Sequence, residues 1–186
     1  GTDGRALSYI ETLEAEGYYH KFHPRTMQSL WPAISLVVML WLKDNEPENY
    51  AAARWLMSAT DYIRYKLTGA GHAEITNLSS TGLMNNAKSS VDHAMLTELG
   101  IPEMAEKIPP LLPSFSLAGS VTAHAAQATG LAEGTPVYGG CFDVDAAALA
   151  TGSIDQSSMT IITGSWANNQ YIGSEPLVAE EFFSTT

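Results

Sequence analysis

The sequence predicts an α/β protein with a large helical portion. Two observations carry this. From residue 4 to residue 130, apolar residues recur at helical spacing between capping and stopping residues. From residue 135 to residue 175 the texture changes to strand, glycine turn, helix, strand, turn, strand. That order reads as an α/β core capped by a helical insertion.

Residues 4–16 carry Leu7, Ile10, Leu13 and Ala15 among polar neighbours, a helix that Gly17 ends. Residues 18–28 read as loop. The run Leu30–Leu42 predicts a buried helix entered at Pro32, where a missing N–H costs nothing. Asn45 with Glu48 has capping-box spacing, so a helix from Glu46 is expected to bury Ala52, Trp55 and Leu56. Ser58 or Thr60 restarts the chain as a helix that Gly69 closes.

"EITNLSSTGLMN" reads as extended or loop, and "SSVDHAMLTELG" as a helix from Ser89 or Ser90 to Gly100. The proline-broken stretch 101–119 reads as irregular. "TAHAAQATGL" is a short helix, "TPVYGGC" a strand ended by glycines, and "DVDAAALATG" a helix. "SSMTIITGSW" and "NNQYIG" are two strands about a turn. There is no internal repeat.

Composition narrows the function classes. The 186 residues allow one domain or two partial ones. Nine Lys and Arg against 20 Asp and Glu give a formal charge of −11, with no basic run. Nucleic acid and an anionic membrane surface are therefore not expected partners. Phosphates remain possible ligands through backbone N–H groups and metal ions. The one cysteine, Cys141, excludes an intrachain disulfide and suits a reducing, cytoplasmic setting. The apolar run 30–42 is too short to span a bilayer. With no initiating Met and no signal peptide, the chain reads as a piece of something longer.

The chemistry concentrates at 134–166. A strand ending in glycines leaves backbone N–H groups open, and a helix beginning at Asp143 adds the positive end of its dipole. A carboxylate there is stabilised as the ion. It can accept a proton from a hydroxyl or stand beside a magnesium-bound phosphate. Asp at a helix start is also an ordinary cap. Asp145, in the first turn, reads as a dipole partner. Gly164 and Ser165 read either as a strand-end turn or as a phosphate clamp.

The stretch Gly119–Gly152 resembles the FGGY carbohydrate kinases. The matching positions are Gly119, Val121, Ala125, Ala126, Thr129, Gly130, Leu131, Gly134, Pro136, Val137, Asp143, Ala146 and Ala147. The resemblance implies the ribonuclease H-like fold of the actin/hexokinase/Hsp70 ATPase superfamily. It implies that Asp143 is the general base for a sugar hydroxyl and that Gly164 and Ser165 touch ATP phosphates. Upstream, Ser35, Met39, Trp41, Leu42, Asp44 and Asn45 are similar to another family signature, with Val38 where a Lys is usual and Ala33 where an aromatic or Gly is frequent. Trp31 is either a sugar-pocket wall or a core residue. Asp61–Gly69 and Asn77–Asn85 look like structural parts of the family. The opening "TDGRA" is similar to a segment near the sugar, which makes Asp3 and Arg5 either site residues or a solvated pair.

The family's first phosphate hairpin and its adenosine-binding Gly-Gly segment are absent. Residues 1–152 are thus expected to be the central and C-terminal part of the sugar-binding domain. Residues 153–186 are expected to be the first hairpin of the ATP-binding domain. The implied activity is transfer of the γ-phosphoryl group of ATP, with Mg2+, to a ketose or polyol, with xylulose-like or keto-gulonate-like sugars favoured. Sugar and ATP are the expected partners, no membrane is expected, and a homodimer of the full-length protein is left open. The rival readings are a non-sugar ATPase of the same fold and a binding or assembly module in which Asp143 is a cap alone.

Overall fold

The computed structural model describes residues 3–164 and 167–174. The helical portion comes first. It contains α1 (Leu7–Ala15), α2 (Tyr18–Lys21), α3 (His23–Thr26), α4 (Ser35–Asn45), α5 (Pro47–Ala52) and α6 (Ala59–Thr68). A two-residue strand β1 (Ala73–Glu74) leads into α7 (Ile75–Ser79). Then come α8 (His93–Glu98), α9 (Met104–Lys107) and β2 (Leu111–Leu112). The later part holds β3 (Leu117–Ser120), α10 (Ala123–Thr129), β4 (Pro136–Tyr138), α11 (Asp143–Ala150), β5 (Met159–Ile162) and β6 (Asn168–Tyr171).

Strands pair in three separate two-stranded ladders among the described residues. β1 and β2 are parallel, with Ala73 opposite Leu111. β3 and β4 are antiparallel, with an irregularity between Leu117 and Gly119. β5 and β6 are antiparallel, with Thr160 opposite Gln170. One core gathers the helical portion around Tyr18, Ile34, Leu36, Leu83, Met95 and Met104, all essentially without solvent contact. No helix among the described residues is long and apolar enough to cross a membrane.

Several boundaries differ from the sequence expectation, each for a local reason. Residues 18–28 are not loop. Gly17 takes the left-handed conformation (φ 85°) and lets the chain turn straight into α2. Tyr18 then anchors the segment, its buried hydroxyl lying 3.0 Å from Thr26 Oγ1 and donating to the Gln28 carbonyl at 3.0 Å. α4 starts at Ser35 rather than Pro32, because Ile34 is still extended.

Asn45 does not cap α5. Glu46 precedes Pro47, which pushes it out of helical geometry (φ −132°, ψ 53°) and opens the new helix at the proline. Asn45 instead ends α4, donating to the Trp41 carbonyl at 2.9 Å. α5 buries Tyr50, leaves Ala52 exposed and stops before Trp55 and Leu56.

The stretch read as extended from Glu74 holds α7, because Glu74 caps it with its own carboxylate. α8 begins after Asp92, whose side chain accepts from Met95 N at 3.0 Å. Ser90 is already engaged in a bridge with Asn85. The proline-broken stretch still contains α9, β2 and β3.

Other expectations hold. Ser58 and Asp61 form a reciprocal capping box at α6, and Gly69 closes it at φ 73°. Thr122 caps α10 and Gly130 ends it at φ 80°. Strand, glycine turn and helix follow one another over residues 136–150, and β5 pairs with β6 in the expected antiparallel sense.

Candidate active site

The site is built on the end of β4. Gly139 is buried against the loop 113–116, and a Cβ there would stand 2.6 Å from the Pro113 carbonyl oxygen and 2.9 Å from that of Ser114. Only glycine lets the backbone approach this closely. Gly139 N donates to Ser116 O and Gly140 N to Ser114 O, both at 3.0 Å. The strand end is therefore fastened flush to its neighbour.

α11 follows. Its cap position is Phe142, still extended at ψ 141° and without a side-chain cap. Asp143 is thus the first helical residue rather than the cap expected from sequence. It is exposed, and its Oδ1 accepts from Val144 N at 2.9 Å. Its negative charge sits where the helix dipole is positive. Asp145, two residues on, lies about 200° around the helix axis. It is half-buried, and its charge adds to the burial that raises the Cys141 thiol pKa.

Two buried clamps hold this turn. The first is Arg64 on α6. Its Nη1 donates to the Gly139 carbonyl at 2.5 Å, while Nη2 donates to Asp61 Oδ1 and to the His72 carbonyl. Asp61 and Arg64 are both nearly inaccessible, at 3% and 4% exposure. Asp61 Oδ1 also accepts from Glu74 N at 3.0 Å, which joins the first clamp to the second.

The second clamp is Glu74, fully buried, with Thr76, Asn77 and Ser114 rather than a basic side chain as the hydrogen-bond partners of its carboxylate among the described residues. Burial alone raises a carboxyl pKa. Here the hydrogen bonds from Thr76, Asn77 and Ser114 outweigh it and hold Glu74 below its ordinary value. Five donors converge: Thr76 N, Thr76 Oγ1, Asn77 N, Asn77 Nδ2 and Ser114 Oγ, at 2.7–3.0 Å. Thr76 Oγ1 in turn accepts from Phe142 N at 2.7 Å. A cavity of about 210 Å³ lies alongside, with Ser35, Asp61, Asn77, Thr81 and Phe142 among its walls.

The other residues singled out from sequence are Asp3, Arg5, Trp31, Gly164 and Ser165. Asp3 and Arg5 pair with each other at 2.9 Å, and the Arg5 guanidinium stands 4.8 Å over the Trp41 ring. The Arg5 backbone N–H, followed by its guanidinium, holds the Asp3 carboxyl below its usual range. Trp31 is half-buried against the core. Gly164 is exposed just beyond β5, and Ser165 lies outside the described residues. The β5–β6 hairpin is tied to α11 at both ends. Gln170 Nε2 donates to the Val144 carbonyl at 3.0 Å, and the Thr151 and Thr160 hydroxyls meet at 3.1 Å.

Sequence reasoning missed Arg64, Glu74, Thr76 and Ser114. The spacing Glu74–Thr76–Asn77 is a cap signal, but nothing in it points across to Phe142. Among the described residues no group of three or more His, Cys, Asp or Glu gathers as for a metal ion. Magnesium bound chiefly through phosphate oxygens needs only one or two carboxylates, so the exposed Asp143 fits a neighbouring role.

The chain is similar to known proteins. The family description "FGGY family of carbohydrate kinases, N-terminal domain" matches residues 1–150. The chain is 37% identical over 166 residues to the L-xylulose/3-keto-L-gulonate kinase of Escherichia coli K12, covering 89% of this chain and 33% of that protein. It is 36% identical to a probable L-xylulose kinase of Pasteurella multocida, over 89% of this chain and 34% of that protein. The crystal structure of xylulose kinase from Rhodospirillum rubrum matches with a TM-score of 0.76 at 30% identity, over 84% of this chain and 32% of that chain. The chain spans about a third of the length of the curated relatives it matches.

Proposed function

The chain belongs to the FGGY family of carbohydrate kinases, and from that premise we propose that the protein containing it transfers the γ-phosphoryl group of ATP to a hydroxyl of a xylulose-like ketose or polyol. The observation that carries this reading is the Asp143 carboxylate. It is exposed at the first turn of α11, on a strand end that two buried clamps immobilise. The L-xylulose kinases named among the relatives support the choice of sugar class.

In this reading Asp143 takes the proton of the attacking hydroxyl as that oxygen bonds to the γ-phosphorus and ADP leaves. Phosphoryl transfer asks the protein mainly for positioning and electrostatic stabilisation. A base held by a rigid backbone meets the first demand. Backbone at Gly164 and Ser165 steadies the phosphates, and magnesium bound to them supplies charge neutralisation. Asp3, Arg5 and Trp31 belong to the sugar side, the Asp3–Arg5 pair being part-exposed and able to meet polyol hydroxyls. We assign residues 1–152 to the sugar-binding domain and residues 153–186 to the start of the ATP-binding domain. The setting is cytoplasmic. On this reading the 186-residue chain by itself turns over no sugar.

The test is ADP release by the full-length protein across a panel of ketoses and polyols. Release that depends on a xylulose-like sugar and disappears in Asp143→Asn is expected. ATP hydrolysis that ignores every sugar and survives Asp143→Asn would sink the reading.

A further inference from the structure

We propose that Thr76, polarised by the buried Glu74 carboxylate, is a positioning residue that sets the place of Asp143 through the backbone N–H of Phe142. The inference rests on the reading of Asp143 as the general base.

The hydrogen-bond directions leave little freedom. A threonine hydroxyl has one hydrogen to give. Glu74 Oε2, an ionised carboxylate oxygen 2.7 Å away, can only accept, so the Thr76 hydrogen points to it. The lone pairs of Thr76 Oγ1 are then left to the Phe142 N–H, also at 2.7 Å. Donating to a carboxylate enriches the hydroxyl oxygen and strengthens the bond it accepts. Glu74 is itself immobile, because four further donors from α7 and Ser114 crowd its two oxygens.

The consequence falls on the helix start. Phe142 is held extended at the cap position, so α11 begins at Asp143 and nowhere else. If the Phe142 N–H were free, the first turn could rewind by a residue. That would change where the strand end delivers the helix, and with it the place of the Asp143 carboxylate. Arg64 fixes the carbonyl of Gly139 on the other side of the same turn, so the relay completes a two-point hold on residues 139–142.

The test is steady-state kinetics on the full-length kinase. Thr76→Val keeps the shape and removes the hydroxyl. It is expected to lower kcat roughly 10- to 100-fold, the order of loss that misplacing a reacting group by an ångström produces. The KM values for sugar and ATP should stay within about threefold, because ground-state binding is not what the relay serves. Thr76→Ser should recover most of the rate. In an Asp143→Asn background, Thr76→Val should cost little more, since there is no base left to position.

An unchanged kcat in Thr76→Val overturns the proposal. A Thr76→Val loss that repeats in full on top of Asp143→Asn also overturns it, while leaving Asp143 as the base. Wild-type kcat in Asp143→Asn alone removes the base, and this proposal with it. Should Thr76→Val not fold, Thr76→Cys, whose thiol is a weak donor and acceptor, carries the same expectations.

Discussion

Arg64 Nη1 donates to the carbonyl oxygen of Gly139 at 2.5 Å, across 75 residues of sequence. The guanidinium is buried and shared between that carbonyl and the Asp61 carboxylate. It therefore joins the capping box of α6 to the strand end that carries the proposed base.

Arg64→Met fills similar space without the charge. It leaves Asp61 buried without its cation, and removing one partner of a buried pair typically costs about 3–5 kcal/mol. Urea unfolding of the full-length protein is expected to show a loss of unfolding free energy of that size, read from the midpoint and the slope. Arg64→Lys should recover only part, because one ammonium cannot span Asp61, Gly139 and His72 in the fixed fork of a guanidinium.

Gly139→Ala puts a methyl group 2.6 Å from the Pro113 carbonyl oxygen, and that neighbour is backbone. Overpacking of this kind costs about 1–3 kcal/mol. The strand end must move, so kcat is expected to fall together with the thermal midpoint. Gly140→Ala has open space at its Cβ but a backbone at φ 76°. It should lose stability through strain alone.

Asp143→Asn keeps an oxygen that accepts from Val144 N and removes the proton acceptor. Its kcat should fall by roughly 10²–10⁴, the usual contribution of a positioned base, with little change in stability. Asp145→Asn lies on another face of α11 and should cost far less activity. Were Asp145→Asn the dead variant, the assignment would move by half a helical turn.

Glu74 governs an acid response. Its carboxyl is held below the ordinary value of 4.5, so the folded state binds its proton less readily than the unfolded state. The stability it contributes is present above the unfolded pKa and is lost as pH falls from there through the depressed folded value. Glu74→Gln should therefore flatten the acid side of a stability-against-pH curve. It should also lower stability at neutral pH, because a carboxamide NH2 would face donors, and each buried donor left unpaired costs about 1–3 kcal/mol. Thermal midpoints from pH 3 to pH 7 for both proteins decide this.

What the sequence made legible was local. Ser58 and Gly69 mark the ends of α6 through bonds that close within a few residues. The helix at Asp143 and the hairpin after it follow from short-range patterns too. Where two local signals compete, the stronger backbone constraint decides: Pro47 overrides Asn45, and Asp92 overrides Ser89 and Ser90. At Glu74 only a local cap spacing is legible, and its long-range role is not. Its partners include Ser114, 40 residues on, and its carboxylate caps a helix that polar residues alone did not announce. The location of Asp143 was visible in the sequence. The means by which its backbone is held was not, because that depends on side chains from α6 and α7.

The two clamps also order the events of folding. The Thr76–Phe142 and Arg64–Gly139 bonds close loops of 66 and 75 residues. Closing loops of that length carries an entropy cost that neighbouring contacts must offset first. α6 and α7, capped by Ser58, Asp61 and Glu74, can form before that, from bonds within their own turns. As the chain leaves the ribosome they are also the earlier part to emerge. Residues 139–143 are then expected to arrive at a receptor that already exists, with the proposed base set after it. A slow step in recovering activity after refolding, later than the recovery of helix signal, is the kinetic trace this arrangement leaves.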